Sequence, residues 1–399
     1  MATTARAEPA DRQCVKRILL SVVLAALVAA PTALALDPGE TKALLRVAVR
    51  LSGLSARAPV RVVVEQPARF RQRRVTMLDR LYPRAAQDHD ETVYRALGLV
   101  TGSTGTLRKA LLEAQDATGL YDPAARIGFV QAGRGERASA LREVVYALQD
   151  QNVDLGRIPR LLGGGDARIA AAAAVEGYAS LVTAALPRRS TASPRGSRLA
   201  RFVELERGFA SSVGLRFAAN VHNLGGTKAM IGSLRRFPAT TEQVFHLDKY
   251  LEREAAAPTR LPAEVSGMTL VGSSTFGELD VRALLAVFGI PGLDRVGTGW
   301  GGGSTARYAG AGGAVSVALD WDTALDATQW AEAVAPYVDA AFDAAKAGRP
   351  ELTSCGATMC WRIGTRAIAF DRSGRRTVFV IGAAPGAVEA LARAITGRP

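Results

Sequence analysis

The residues of this 399-residue chain whose types could do chemistry are two carboxylates on helical stretches, a cysteine pair and three histidines. Glu143 sits in the run Arg142-Glu143-Val144-Val145-Tyr146-Ala147-Leu148-Gln149-Asp150-Gln151, within a stretch of helical spacing over 138–151. Positions four apart share one helix face, so Arg142 and Tyr146 stand one above the other. Glu176 follows 30 residues after Tyr146, in an Ala-rich helix that Asp166 is expected to cap and Pro187 to end. Its neighbours at helical spacing, Ala172, Ala173, Ala179 and Ser180, are small. That implies close packing against another helix, where a carboxylate needs a partner.

Other patterns are weaker. Asp88-His89-Asp90 has ligand-like spacing but reads as the cap of a helix beginning near Thr92. Gly163–Gly165 and Gly299–Gly303 lack the Gly-Lys-Ser/Thr ending of a phosphate loop and read as tight turns. No Gly-x-Ser-x-Gly elbow is present, which argues against a serine hydrolase.

The run 142–151 resembles the active-site helix of a family of exported bacterial zincin-like metallopeptidases, where it reads His-Glu-x-x-His-Ala-Leu-Gln-Asp-Gln. Val175-Glu176-Gly177-Tyr178-Ala179 resembles that family's second motif, Glu-Gly-Asp-Ala. Further matches follow in order: Tyr94 to Leu99, Gly119 to Pro123, Thr240 to His246 with Tyr250, Phe276 to Leu279, and Gly299 to Gly302. The resemblance covers about residues 45–345. It implies a zincin-like fold in which Glu143 is a vestigial general base and 142, 146 and 176 are the former metal-ligand positions. The departures fall on the chemistry. Arg142 and Tyr146 replace both histidines, and Tyr178 replaces the acidic residue after Glu176-Gly177. Ala210-Ser211 stand for Pro-Tyr, Leu247 for Pro and Gly303 for Asp.

Zinc lowers the pKa of bound water from about 15.7 to about 7, a help of roughly 12 kcal/mol. General-base assistance from Glu143 alone supplies only about 10²–10⁴-fold. The resemblance therefore implies a protein that has lost zinc and needs no other cofactor. With the dication gone, Glu143 and Glu176 would repel each other. Arg142, a fixed cation with a planar donor fork, is expected to contact Glu176, with the Tyr146 hydroxyl donating nearby.

At the N-terminus Arg12, Lys16 and Arg17 precede an apolar run, Ile18 to Ala30, then Pro31 and the small-x-small site Ala33-Leu34-Ala35. This reads as a signal peptide over 1–35, with Leu36 the new terminus and an uncleaved anchor the alternative. Cys14 leaves with it, so Cys355 and Cys360 are an even pair in an exported chain and are expected to form a disulfide. The formal charge is +13; four basic against two acidic residues in 1–35 leave +11 downstream. Such a charge suits an anionic surface, while 6% aromatic residues and no recognisable motif argue against nucleic acid.

Around these residues lie Val60 to Val64 as a strand, a basic helix from Pro67 to about Leu81 and a hairpin over Gly119–Gln131. Residues 187–198 read as a basic Pro/Ser connector, and a helix capped by Thr240 and Gln243 should run to about Glu254. Strands Arg366–Phe370 and Thr377–Ile381 flank a turn at Asp371-Arg372-Ser373-Gly374, and a helix from Pro385 follows. Helices and antiparallel strands in blocks make the class α+β. The expected division is a signal peptide to 35, a zincin-like domain over 36–351 and a hairpin–helix segment over 352–399. The function expected is that of an exported pseudo-peptidase with a binding or structural role toward an unknown protein or envelope component. The alternatives are a peptidase with a non-standard metal site, for which His89, His222 and His246 are the available histidines, and an envelope-binding module acting through Arg-rich loops.

Overall fold

The computed structural model describes residues 34–113, 118–133, 136–158, 165–184, 196–342 and 349–398. Most of the signal-like segment, Gly163, Gly164 and most of the basic connector lie outside the described residues. The chain is α+β, with two sheets surrounded by helices.

The first sheet has the order β1 (Leu34–Ala35), β2 (Arg61–Glu65), β4 (Ile127–Gln131), β3 (Gly119–Asp122). β2 and β4 are parallel; β3 and β4 form the expected antiparallel hairpin. Helix α1 (Pro38–Ser52) starts where Asp37 accepts from the Glu40 amide at 3.0 Å and stops at Gly53, which takes the left-handed φ of 66° that favours glycine. Helix α2 (Pro67–Leu81) opens on Pro67, as the sequence predicts. Helix α3 (Arg84–Ala96) differs from expectation: it begins eight residues before Thr92, so Asp88-His89-Asp90 lies within it and caps nothing. Helix α4 (Thr106–Glu113) follows.

Helix α5 (Glu136–Val153) carries the Arg142–Gln151 run, and α6 (Gly165–Val182) carries Glu176. Asp166 does not cap α6. Its carboxylate reaches across to Thr241, accepting from the amide at 2.9 Å and the hydroxyl at 2.5 Å. Helix α7 (Arg198–Arg235) runs 38 residues and breaks at Gly225–Gly226, where the dihedrals leave the helical region. Arg198 opens this helix and donates to the carbonyls of Ala340 and Ala341, so it is not part of a solvated connector. Where α6 crosses α7, a Cβ on Gly177 would overlap the Gly214 carbonyl, and one on Gly214 would overlap that of Ala173. The helix expected from Thr240 is two, α8 (Thr241–Phe245) and α9 (Leu247–Glu252), separated by an extended His246.

The second sheet is antiparallel throughout, in the order β5 (Glu264–Val265), β6 (Met268–Thr275), β7 (Trp300–Ala309), β8 (Ala314–Trp321), β12 (Arg376–Gly382), β11 (Arg366–Ser373), β10 (Met359–Ile363), β9 (Glu351–Thr353). Helices α10 (Glu278–Phe288), α11 (Leu293–Thr298) and α12 (Ala324–Phe342) lie between its strands in sequence, and α13 (Pro385–Thr396) packs on β11 and β12. Gly301–Gly303 belongs to β7 and is not a tight turn: a Cβ on Gly302 would crowd the Ala257 backbone. β12 pairs with β8, Thr377 opposite Leu319, so residues 352–399 continue the sheet begun by 264–321. Asp371 is a strand residue, not a turn residue. It is fully buried, accepting from Thr358 at 3.0 Å, Thr396 at 2.6 Å and Arg398 at 2.5 Å. Cys355 and Cys360 are disulfide-bonded, as expected from the even count. Among the described residues no helix is long and apolar enough to cross a membrane.

Candidate functional site

The residues that follow the site on α5 fix the helix in place. Gln149 donates to the Val175 carbonyl at 3.1 Å, joining α5 to α6 one residue before Glu176. Asp150 accepts from the Tyr121 hydroxyl at 2.8 Å and the Leu155 amide at 2.6 Å. Gln151 accepts from the Arg57 amide at 2.7 Å and donates to the Ala58 carbonyl at 3.0 Å. Three consecutive polar side chains thus tie one helix end to three other segments. On the opposite side, glycines of the hairpin let it lie on α5. A Cβ on Gly119 or Gly128 would collide with Glu143.

Arg142 and Tyr146 share a helix face, as their spacing predicts, and Glu176 meets both. The Arg142 guanidinium donates to Glu176 Oε1 and, at 2.7 Å, to Ser180 Oγ. The Tyr146 hydroxyl donates to Glu176 Oε2, and Arg142 Nε lies 3.3 Å from that hydroxyl. Burial opposes the charge on Arg142, but Tyr146 and Glu176 outweigh it and raise its pKa further. Burial and the neighbouring Glu176 push the Tyr146 hydroxyl well above its ordinary value. Glu143 is 1% exposed and its Oε2 has no hydrogen-bond partner among the described residues. Burial raises its pKa well above the carboxylate range; Arg142 opposes this and Glu176 adds to it.

This group does not fit zinc. A guanidinium offers donors and no lone pair, and both Glu176 oxygens are already engaged. The histidines lie elsewhere. His246 Nε2 is 3.1 Å from Glu278 Oε1, which also accepts from Arg282 at 2.6 Å. His222 is exposed on α7, and His89 is half-buried on α3. A second convergence of carboxylates, Glu242, Glu254 and Asp322, encloses the Lys249 ammonium at 2.5, 3.1 and 2.6 Å. Its charge is thereby already balanced from inside the chain.

The group opens into a cavity of about 1790 Å³ whose wall also includes β3 and parts of α3, α7 and α10. Sequence reasoning missed a set of carboxyls in that wall. Asp90 accepts from the Tyr82 hydroxyl, Glu206 lies 3.5 Å from that of Tyr94, and Asp280 accepts from the Gly277 amide at 2.7 Å. Burial and the nearby Asp90 push Glu206 up to about 7; burial, Glu206 and Asp166 raise Asp280 well above its ordinary value. The three come from helices far apart in sequence and share no motif, so no local signal could have grouped them.

A family described as a domain of unknown function (DUF8575) matches residues 266–392. That span runs from the turn before β6 into α13 and contains neither α5 nor α6. No curated protein and no solved structure matches the chain.

Proposed function

We propose that this protein is an exported, zincin-like pseudo-peptidase whose cleft binds a ligand without cleaving it. The observation that carries the reading is the closure of Arg142, Tyr146 and Glu176 on one another at positions where the resembling family places two histidines and a glutamate. A cation supplied by the chain does the electrostatic work of the lost dication, which keeps the scaffold and removes the Lewis acid. Among the described residues β3 pairs with β4 alone, and Gly119 to Tyr121 line the cavity, so its outer edge offers backbone groups to an extended segment. The partner is then a protein segment or an envelope component. Export rests on the N-terminal pattern and is consistent with the disulfide. Cleavage after Ala35 would remove β1 and leave Leu36, whose amide donates to the Val62 carbonyl at 3.1 Å, as the first residue. Mass spectrometry of the native N-terminus is expected to find it there; an intact Met1 form held in the membrane would favour an anchor.

The test of the scaffold is the double change Arg142→His with Tyr146→His. The wild type should bind no zinc at this site, and the double variant should bind about one equivalent tightly through 142, 146 and Glu176. A folded double variant with no gain in zinc over wild type would refute the zincin reading.

A further inference from the structure

Three arginines converge without a counter-ion on the side of α7 away from the cleft residues. Arg73, Arg108, Arg282 and Arg376 each meet a carboxylate within the fold. Arg235 and Arg236, at the end of α7, and Arg253, just after α9, are exposed, and among the described residues none of them makes an ion pair. All three line one hollow of about 580 Å³ between those helix ends, and no acidic residue lines it. Asp248 and Glu252 of α9 and Lys228 of α7 are exposed close by in sequence but are not part of its wall. The negative end of α7 offsets part of the repulsion among the cations and leaves their outer faces to an external anion.

The same hollow is apolar as well as cationic. Tyr250 and Val221 are buried in its wall, and the Tyr250 hydroxyl donates to the Arg236 carbonyl at 3.0 Å. Leu224, in the last turn before the Gly225–Gly226 break, is 60% exposed, and Leu251 is 54% exposed. The end of α1 lies alongside: a Cβ on Gly53 would come within 2.9 Å of the Thr227 hydroxyl, two residues from the exposed Leu51. Single exposed leucines are ordinary, but leucines grouped at one hollow with unneutralised cations mark a contact surface.

We infer that this hollow is a contact site for an anionic phospholipid surface, with Arg235, Arg236 and Arg253 binding headgroup phosphates and Leu224 and Leu251 entering the apolar layer beneath. A guanidinium fork binds phosphate bidentately, and leucines at helix ends reach past the headgroups. A second copy of the chain is a poorer match, because an isologous contact sets the patch against itself and brings three unpaired cations against three. An acidic protein would match the arginines alone, whereas a phospholipid layer offers the anion and the apolar acceptor at one face. The inference is independent of the reading of the cleft.

The experiment uses the full chain carrying Leu224→Trp. The four native tryptophans, Trp300, Trp321, Trp330 and Trp361, are each 5% exposed or less, so the new indole is the one that an outside surface can reach. The protein is mixed with vesicles of phosphatidylcholine alone or of equal parts phosphatidylcholine and phosphatidylglycerol, with and without brominated acyl chains. With phosphatidylglycerol present the emission is expected to shift to the blue and to be quenched by the brominated chains; with phosphatidylcholine alone it should do neither. Arg235→Gln, Arg236→Gln and Arg253→Gln together should raise the anionic lipid needed for the half-maximal response at least about tenfold, and added salt should act in the same direction. No shift or quenching with anionic vesicles would overturn the inference. So would a response that the three glutamines leave unchanged, or a blue shift without lipid that grows with protein concentration, which would place a second copy in the hollow. Leu251→Trp supplies the same readout from the other helix if Leu224→Trp does not fold.

Discussion

Arg142 and Tyr146 saturate both oxygens of Glu176, so removing either leaves a half-buried carboxylate short of a donor. Arg142→Ala is expected to destabilise by about 2–3 kcal/mol in urea unfolding, and Tyr146→Phe by about 1 kcal/mol. A loss within error for Arg142→Ala would mean the pair behaves like an exposed ion pair. This meeting was legible in the sequence through the family resemblance, which makes 142, 146 and 176 the positions around one former metal site; the four-residue spacing by itself pairs only Arg142 with Tyr146. The acid set of Asp90, Glu206 and Asp280 was not. Asp90 alone attracted notice, as a cap, and its neighbours come from segments more than 70 residues away.

At the scale of elements, the crossing of α6 and α7 sets the depth of the site, because it decides how far Glu176 projects toward α5. Gly177→Ala places a methyl group against the Gly214 carbonyl and should cost about 3 kcal/mol of stability by overpacking, read as a lowered urea midpoint. The tie from Asp166 to Thr241 gives a pH signature. Burial, opposed by the Thr241 hydrogen bonds, lifts Asp166 to about 6 from the ordinary 3.8. A carboxyl whose folded pKa is raised binds more protons in the native state, so its contribution is full below 3.8 and is lost as pH rises to about 6. Asp166→Asn should therefore reduce the fall in unfolding free energy between pH 4 and pH 7 by about 2 kcal/mol relative to wild type. An unchanged pH slope would show that Asp166 ionises normally. Helix boundaries here escaped the sequence wherever glycine or histidine carried tertiary rather than local meaning. No helix is read from the sequence over 198–235, where Gly214 is required by the approach of α6 and Gly225–Gly226 breaks the helix. His246 lies in a run of helical spacing but is extended, with its ring turned to Glu278.

For the molecule as a whole, the α+β class, the hairpin over 119–131 and the disulfide were readable from patterning, turn residues and cysteine count. The joining of the C-terminal strands to β8 was not, since strand order follows from non-local pairing that no local pattern encodes. The disulfide closes a short loop, so it contributes about 2 kcal/mol through chain entropy. Reduction should lower stability by about that amount and leave the site on α5 and α6 unaffected, as measured by unfolding with and without reductant. Loss of the fold on reduction would show that the bridge does more than restrict the unfolded chain.

Asp371 in the middle of β11 draws two of its donors, Thr396 and Arg398, from the last turn of α13 and the residues just after it. Thr396 and Arg398 are therefore a plug for a hole in the centre of a sheet. Losing them would strip a buried anion of its counter-ion and a hydroxyl, and the damage would surface in the strands instead of in the helix that supplies them. Thr396→Ala with Arg398→Ala should therefore lower the thermal midpoint although neither residue belongs to the sheet, as measured by calorimetry against wild type.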